Sequence, residues 1–326
     1  MKELRTMKRL IINRFSSLIL GLIFANNAFS QSEKYNETDL SELAGYLKTS
    51  YCPNELSAWT TGGISTLDYK LSTGKSNIGL GYSFGLGYTR FFNQNMGLSF
   101  GAEYAFYQKS LKVKQISGAY DTNDKEGNPI VYHSLVEDYR ERQQLGMINF
   151  PLTVLYQAGK KHKYYASLGL KLGLPVYGQY RGSDATLTTS GYYPDYDQTE
   201  IWQNDFGYGV FSVENKRPLN FGVSLLGTFE TGAKWNIGIG NDLYTGIFID
   251  YGFNNILKNS NPSRFVEYNH NEPSQPVMNS FLASQNSRVS PFSFGLKLKM
   301  AFSVGCRDLL SDRKEYKSMR SAGNKE

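Results

Sequence analysis

Two cysteines, three histidines and ten prolines are all this chain of 326 residues contains of those types. Two cysteines cannot staple a multi-bridge disulfide scaffold or build a four-cysteine zinc site. The histidines, His133, His162 and His270, are far apart in sequence and form no metal motif. There is also no phosphate-cradling glycine loop and no redox motif. A membrane-spanning helix needs ~20 apolar residues. The only helix-length apolar run lies near the start, at 15–24, and Ser16, Ser17 and Gly21 interrupt it.

That run reads as the core of an export signal. Lys2, Arg5, Lys8, Arg9 and Arg14 supply a basic leader, and Ala28, Phe29 and Ser30 a small-x-small cleavage site. Residues 1–30 are therefore expected to be a signal peptide. No cysteine closely follows the cut, which argues against a lipid anchor. The formal charge of +6 owes much to this segment, because removing it leaves 30 basic and 28 acidic residues. A mature chain so close to neutral gives no reason to invoke nucleic acid.

What the chain does have is aromatic residues (14%) and 32 glycines, at a mean hydropathy of −0.42. That profile suits a β-rich protein with many turns. Residues 31–56 form a lead-in. Asp39 and Glu42 match a capping box, and Leu40, Leu43, Ala44 and Leu47 follow at helical spacing, predicting one short amphipathic helix before Pro53.

From residue 57 the period becomes two. In 77–92, Ile78, Leu80, Tyr82, Phe84, Leu86 and Tyr88 share a face opposite glycines, Ser83 and Thr89. Similar alternation marks 96–109, 147–156, 164–177, 219–230, 243–253 and 291–305. The first segment, 57–70, is the least regular; Trp59, Leu67 and Tyr69 share its apolar face while Ile64 falls on the other. Eight strands are expected. The turn between the sixth and seventh is expected near Gly240. Short links (92–95, 158–163, 236–241) alternate with long polar ones (about 110–136, 181–218, 254–289), although 71–76 is short.

Alternation alone does not say which face is wet. Glycine on the polar face of the second strand would weaken a solvent-facing strand for nothing, yet suits a crowded barrel interior. The apolar faces carry no charge at the strand centres, where one would cost ~2–4 kcal/mol in lipid. Phe91, Phe92, Tyr156, Tyr164, Tyr165, Trp235 and Tyr244 crowd the turn ends like an interfacial girdle. The expected fold is all-β: an eight-stranded antiparallel up-and-down transmembrane β-barrel over 57–304, with a short N-terminal helix in 31–56 and a tail at 305–326. Lys171, Lys297 and Lys299 then point into the lumen with Glu103, Glu230 and Asp250. An ionic network filling a packed interior is the expected result, with Asp250 near Lys297 or Lys299; a conducting path is the alternative.

The stretches YTRFFNQNMGLSFGAEY (88–104), QQLGMINFPLTVLY (143–156) and LYTGIFIDYGFNNI (243–256) resemble the OmpA/OmpX-type outer-membrane barrels, especially the Bacteroidetes outer-membrane β-barrel proteins. The resemblance implies outer-membrane localisation with both termini periplasmic. It also implies lipid, lipopolysaccharide and the barrel-insertion machinery as partners. It brings no activity and no cofactor. The residues after the last strand are too few for the peptidoglycan-binding domain of the OmpA pattern. With both termini in an oxidising compartment and the first and last strands adjacent, a Cys52–Cys306 disulfide is expected.

Some such barrels are lipid-modifying enzymes. Here the histidines fall in loops and a turn, and His133 beside Ser134 is a weak signal. The sequence therefore favours a non-enzymatic barrel that presents long extracellular loops for envelope integrity or surface binding. A small-solute pore is the first alternative and a lipid-modifying enzyme the second. The Tyr-rich stretch 192–197 and a hairpin in 199–215 are the loop candidates for recognition, unless the tyrosines only pack the loops together.

Overall fold

The computed structural model describes residues 50–159, 163–238, 240–258, 264–284, 288–305 and 307–308. The expected signal peptide, the helix around Asp39, His162, Cys306 and most of the tail lie outside the described residues. The architecture below is that of the compact unit Tyr51–Arg307.

Eight strands carry the barrel. They are β1 (Asn54–Asp68), β2 (Leu80–Phe91), β3 (Met96–Asn123), β4 (Pro129–Ala158), β5 (Lys163–Tyr193), β6 (Ser224–Gly238), β7 (Asn241–Gly252) and β8 (Ser290–Val304). Each pairs antiparallel with the next, and β8 pairs back onto β1 from Asp68–Ser290 to Asn54–Val304, closing the ring. Tight turns gather at the end that holds the start of β1 and the end of β8, here the terminal end. In the β2–β3 turn, Asn93 Oδ1 accepts from the backbone N–H of Asn95 and Met96. In the β6–β7 turn, Gly240 takes φ +71°, a conformation suited to glycine.

The outer face is apolar. Leu80 is 74% exposed, Leu296 69% and Leu168 65%, whereas Lys171 is 5% exposed. On β5 the exposed apolar positions run from Tyr164 to Tyr177. At ~3.3 Å per residue and a ~40° tilt this band is about 30 Å tall, the thickness of a hydrocarbon core.

Three expectations need correction. Trp59, Leu67 and Tyr69 face inward, not outward; all three are buried. Hydropathy assigned Trp59 to lipid, but its indole N–H needs a partner and finds one inside. Of the expected girdle, Phe92, Tyr156, Tyr164 and Trp235 are exposed, while Phe91, Tyr165 and Tyr244 pack together within the barrel. Two of the three long links, 110–136 and 181–218, are largely strand. β3 and β4 remain paired out to Asn123–Pro129, and Gly209–Pro218 pairs along β5 rather than folding on itself. Beyond the band the outward residues turn polar while the inward ones stay apolar, so the same alternation no longer looked like a strand.

These extensions form a head at the loop end. Its core joins Leu111 and Val113 of β3, Ile130, Tyr132, Val136 and Tyr139 of β4, and Leu187 of β5 to residues of the β7–β8 connection. That connection contains a two-residue ladder, Val266–Glu267 with Val277–Met278, and a helical turn, Phe281–Ser284.

Candidate functional site

The lumen is filled by stacked charge clusters. Nearest the terminal end, Lys234 of β6 is ion-paired with Glu55 of β1 and lies 3.1 Å from Asp242 of β7. The Tyr244 hydroxyl donates to Glu55 at 2.8 Å. Further along, Lys297 of β8 meets Glu230 of β6 at 2.6 Å, and the Tyr165 hydroxyl donates to the other Glu230 oxygen at 2.7 Å. The Lys299 ammonium lies 4.6 Å from the centre of the Tyr244 ring. Next, Lys171 of β5 spans the bore between Asp250 of β7 (2.8 Å) and Glu103 of β3 (3.0 Å). Glu103 also accepts from Trp59 Nε1 at 2.8 Å and Asn149 Nδ2 at 3.2 Å.

Expected residues Glu103, Lys171, Glu230, Asp250, Lys297 and Lys299 thus all lie within the strand ring. Their pairing differs from the expected one. Asp250 takes Lys171, not Lys297 or Lys299, because it stands opposite Ser293 while Lys297 stands opposite Gly246, several residues along the ladder. Sequence reasoning missed Glu55, Lys234 and Asp242. Lys234 shares the parity of Glu230, and Asp242 that of Asp250, so extending the inward face by a few residues would have found both. Buried ions this closely paired meet the condition under which burial is tolerated.

The glycines explain how a tryptophan fits. A Cβ at Gly85 would stand 2.5 Å from the Trp59 ring, at Gly87 2.7 Å and at Gly101 2.9 Å. These bare positions on β2 and β3 receive the indole, which lies 4.8 Å from the Lys297 ammonium. At the mouth, Leu219, Phe221, Ile256, Leu257, Leu282 and Val289 pack onto Leu67, Tyr107, Leu145 and Met147 as an apolar plug. Backbone bonds tie it together: Gly222 N to Ile256 O (2.6 Å) and Ile256 N to Val289 O (2.8 Å).

A buried carboxylate latches this plug to the wall. Glu141 of β4, outside the apolar band, accepts from the Ser280 hydroxyl and the Phe281 backbone N–H, each at 2.7 Å. Tyr139 and Gln143 donate to it as well, each at 2.7 Å. Burial pushes its carboxyl above the usual range, against these four hydrogen bonds.

The loop tyrosines mostly pack. The Tyr132 and Tyr268 rings meet edge-on with 5.2 Å between centroids, and the Tyr193 hydroxyl donates to Asp124 at 3.0 Å. Tyr196, in contrast, is 75% exposed. The pair His133–Ser134 is split by the strand period, His133 exposed and Ser134 buried with its hydroxyl on the Gly118 carbonyl. His270 packs against the Tyr268 ring. Cys52 is disulfide-bonded.

A family model described as an outer membrane protein beta-barrel domain matches residues 29–258. No curated protein matches the sequence. Among solved structures, Neisserial surface protein A is 10% identical with a TM-score of 0.34, covering 78% of this chain and 98% of that one. A major outer membrane protein from Thermus thermophilus is 11% identical with a TM-score of 0.33, covering 76% and 98%. Ail, the attachment invasion locus protein of Yersinia pestis, is 11% identical with a TM-score of 0.25, covering 76% and 98%.

Proposed function

This chain belongs to the outer membrane protein beta-barrel domain family, and from that footing we propose that it is a non-enzymatic surface barrel. It displays a rigid head for surface binding or envelope integrity and carries no solute. Both termini lie in the periplasm after removal of residues 1–30, and Cys52 pairs with Cys306 on that side.

The observation that supports this reading is the closed bore. Lys171 bridges two opposite carboxylates, Trp59 fills the space beside them, and an apolar plug covers the mouth. A solute would have to break buried ion pairs to pass. Meanwhile, β3, β4 and β5 continue without a break from the wall into the head, so the head inherits the barrel's stiffness. The test is planar-bilayer recording of the purified chain. No discrete steps are expected. Stable unitary conductance in the unmodified protein would refute the reading in favour of a pore.

A further inference from the structure

We propose that the outer surface of β3, β4 and β5, just beyond the apolar band, is a binding face for the phosphate groups of an anionic lipid. The outward residues change in rows along these strands. Past the exposed Ile148, Leu174 and Val176, and one row beyond them at Phe106, Gly146 and Tyr177, comes a glutamine row. Gln179 donates to Gln144 at 2.6 Å, and Gln144 to Gln108 at 3.4 Å. The next row is cationic: Arg142 of β4 stands opposite Arg181 of β5, and Arg181 opposite Lys216. One row further, Lys75 stands opposite Lys112, and Lys112 opposite Arg140.

Like charges directly across a ladder repel. Asp138 relieves Lys112 at 3.6 Å. Arg142, Arg181 and Lys216 are exposed and have no carboxylate partner among the described residues. A row of mutually repelling cations is stabilised by an anion from outside, and its position identifies which. Arg181 lies four residues past the exposed Tyr177, ~13 Å along the strand and about 10 Å along a tilted barrel axis. The headgroup layer begins at the edge of the hydrocarbon and extends ~5–8 Å beyond it. A guanidinium reaching back toward the band therefore meets lipid phosphate, while the acyl chains of the same lipid lie on Ile148, Leu174 and Val176. Neither β1, β2 nor β6–β8 extends past the band as β3–β5 do, so the face is confined to one side of the barrel.

The proposal rests on the surface-barrel reading only for which leaflet supplies the lipid. Its test is read in detergent and does not depend on conductance or cell-surface exposure. The full-length protein is titrated with lipid A, phosphatidylcholine or inorganic phosphate and bound species are counted by native mass spectrometry. The expected preference for lipid A over phosphatidylcholine is on the order of tenfold or more. The triple variant R142Q/R181Q/K216Q is expected to lose most of it, R142K/R181K to keep it, and millimolar phosphate not to displace the lipid. Unchanged preference in the triple variant overturns the proposal. So does displacement by free phosphate, which would mark a solute-anion site. If the triple variant fails to fold, a salt series on the unmodified protein decides: a preference that falls with ionic strength supports the face, and a flat one overturns it.

Discussion

Trp59 and Glu103 are 44 residues apart in sequence, yet the indole N–H donates to the carboxylate at 2.8 Å inside the barrel. The contact joins β1 to β3 past β2, and is possible because Gly85 and Gly87 of β2 have no side chains in the way. It predicts a compensating pair. Gly85→Val alone is expected to destabilise by about 1–3 kcal/mol through overpacking. In a Trp59→Gly background the same change is expected to cost much less. Urea unfolding in lipid vesicles, run as a double-mutant cycle, measures the coupling.

Lys171 is the only cation touching both Glu103 and Asp250 among the described residues. Lys171→Ala leaves two buried carboxylates facing each other without the cation that bridges them, and is expected to cost roughly 3–5 kcal/mol. Replacing all three residues by apolar ones of similar volume is expected to be far milder. If the single variant unfolds at the same urea concentration as the unmodified protein, the buried bridge has been misassigned.

Glu141 is expected to make the stability of the head pH-dependent. Its carboxyl is raised above its ordinary value near 4.5 in the folded state. The neutral form therefore favours folding, a contribution fully present below about pH 4.5 and lost as pH rises through the raised value. Glu141→Gln is expected to flatten that part of the stability curve. Glu141→Ala is expected to leave the Phe281 N–H and the Ser280 hydroxyl unpaired, at about 1–3 kcal/mol, and to free the plug. Limited proteolysis within 264–284 is the readout: faster cutting in Glu141→Ala than in Glu141→Gln supports the latch, and equal rates contradict it.

The proposed Cys52–Cys306 bond predicts no alkylatable thiol in the exported, unreduced protein and two after reduction. Mass measurement after iodoacetamide treatment distinguishes this from free cysteines.

Much of the fold was legible because the period-two pattern is strongest where one face meets lipid. Leu168, Leu170, Leu172 and Leu174 leave little choice of register. The pattern faded where that contrast disappeared. Past Ser110 the outward residues of β3 are Lys112 and Lys114, so the strand looked like a polar loop, though Leu111 and Val113 still point inward. The inward charges at strand centres were legible by parity, but their partners were not. Which lysine meets Asp250 depends on the reach of side chains across the bore, and sequence spacing along one strand carries no such information. Glu141 was hidden for a related reason, since its donors Ser280 and Phe281 come from a connection 139 and 140 residues away.

The account depends on apolar side chains facing lipid around a filled interior. Its most direct test is spin-label accessibility in bilayers, with single nitroxides placed at Leu168, Leu170, Leu172 and Leu174 and, for contrast, at Tyr196 and Gln198. High oxygen and low nickel-chelate collision rates at the four leucine sites, reversed at the two loop sites, are predicted. Nickel-chelate access at the leucine sites equal to that at Tyr196 would contradict it.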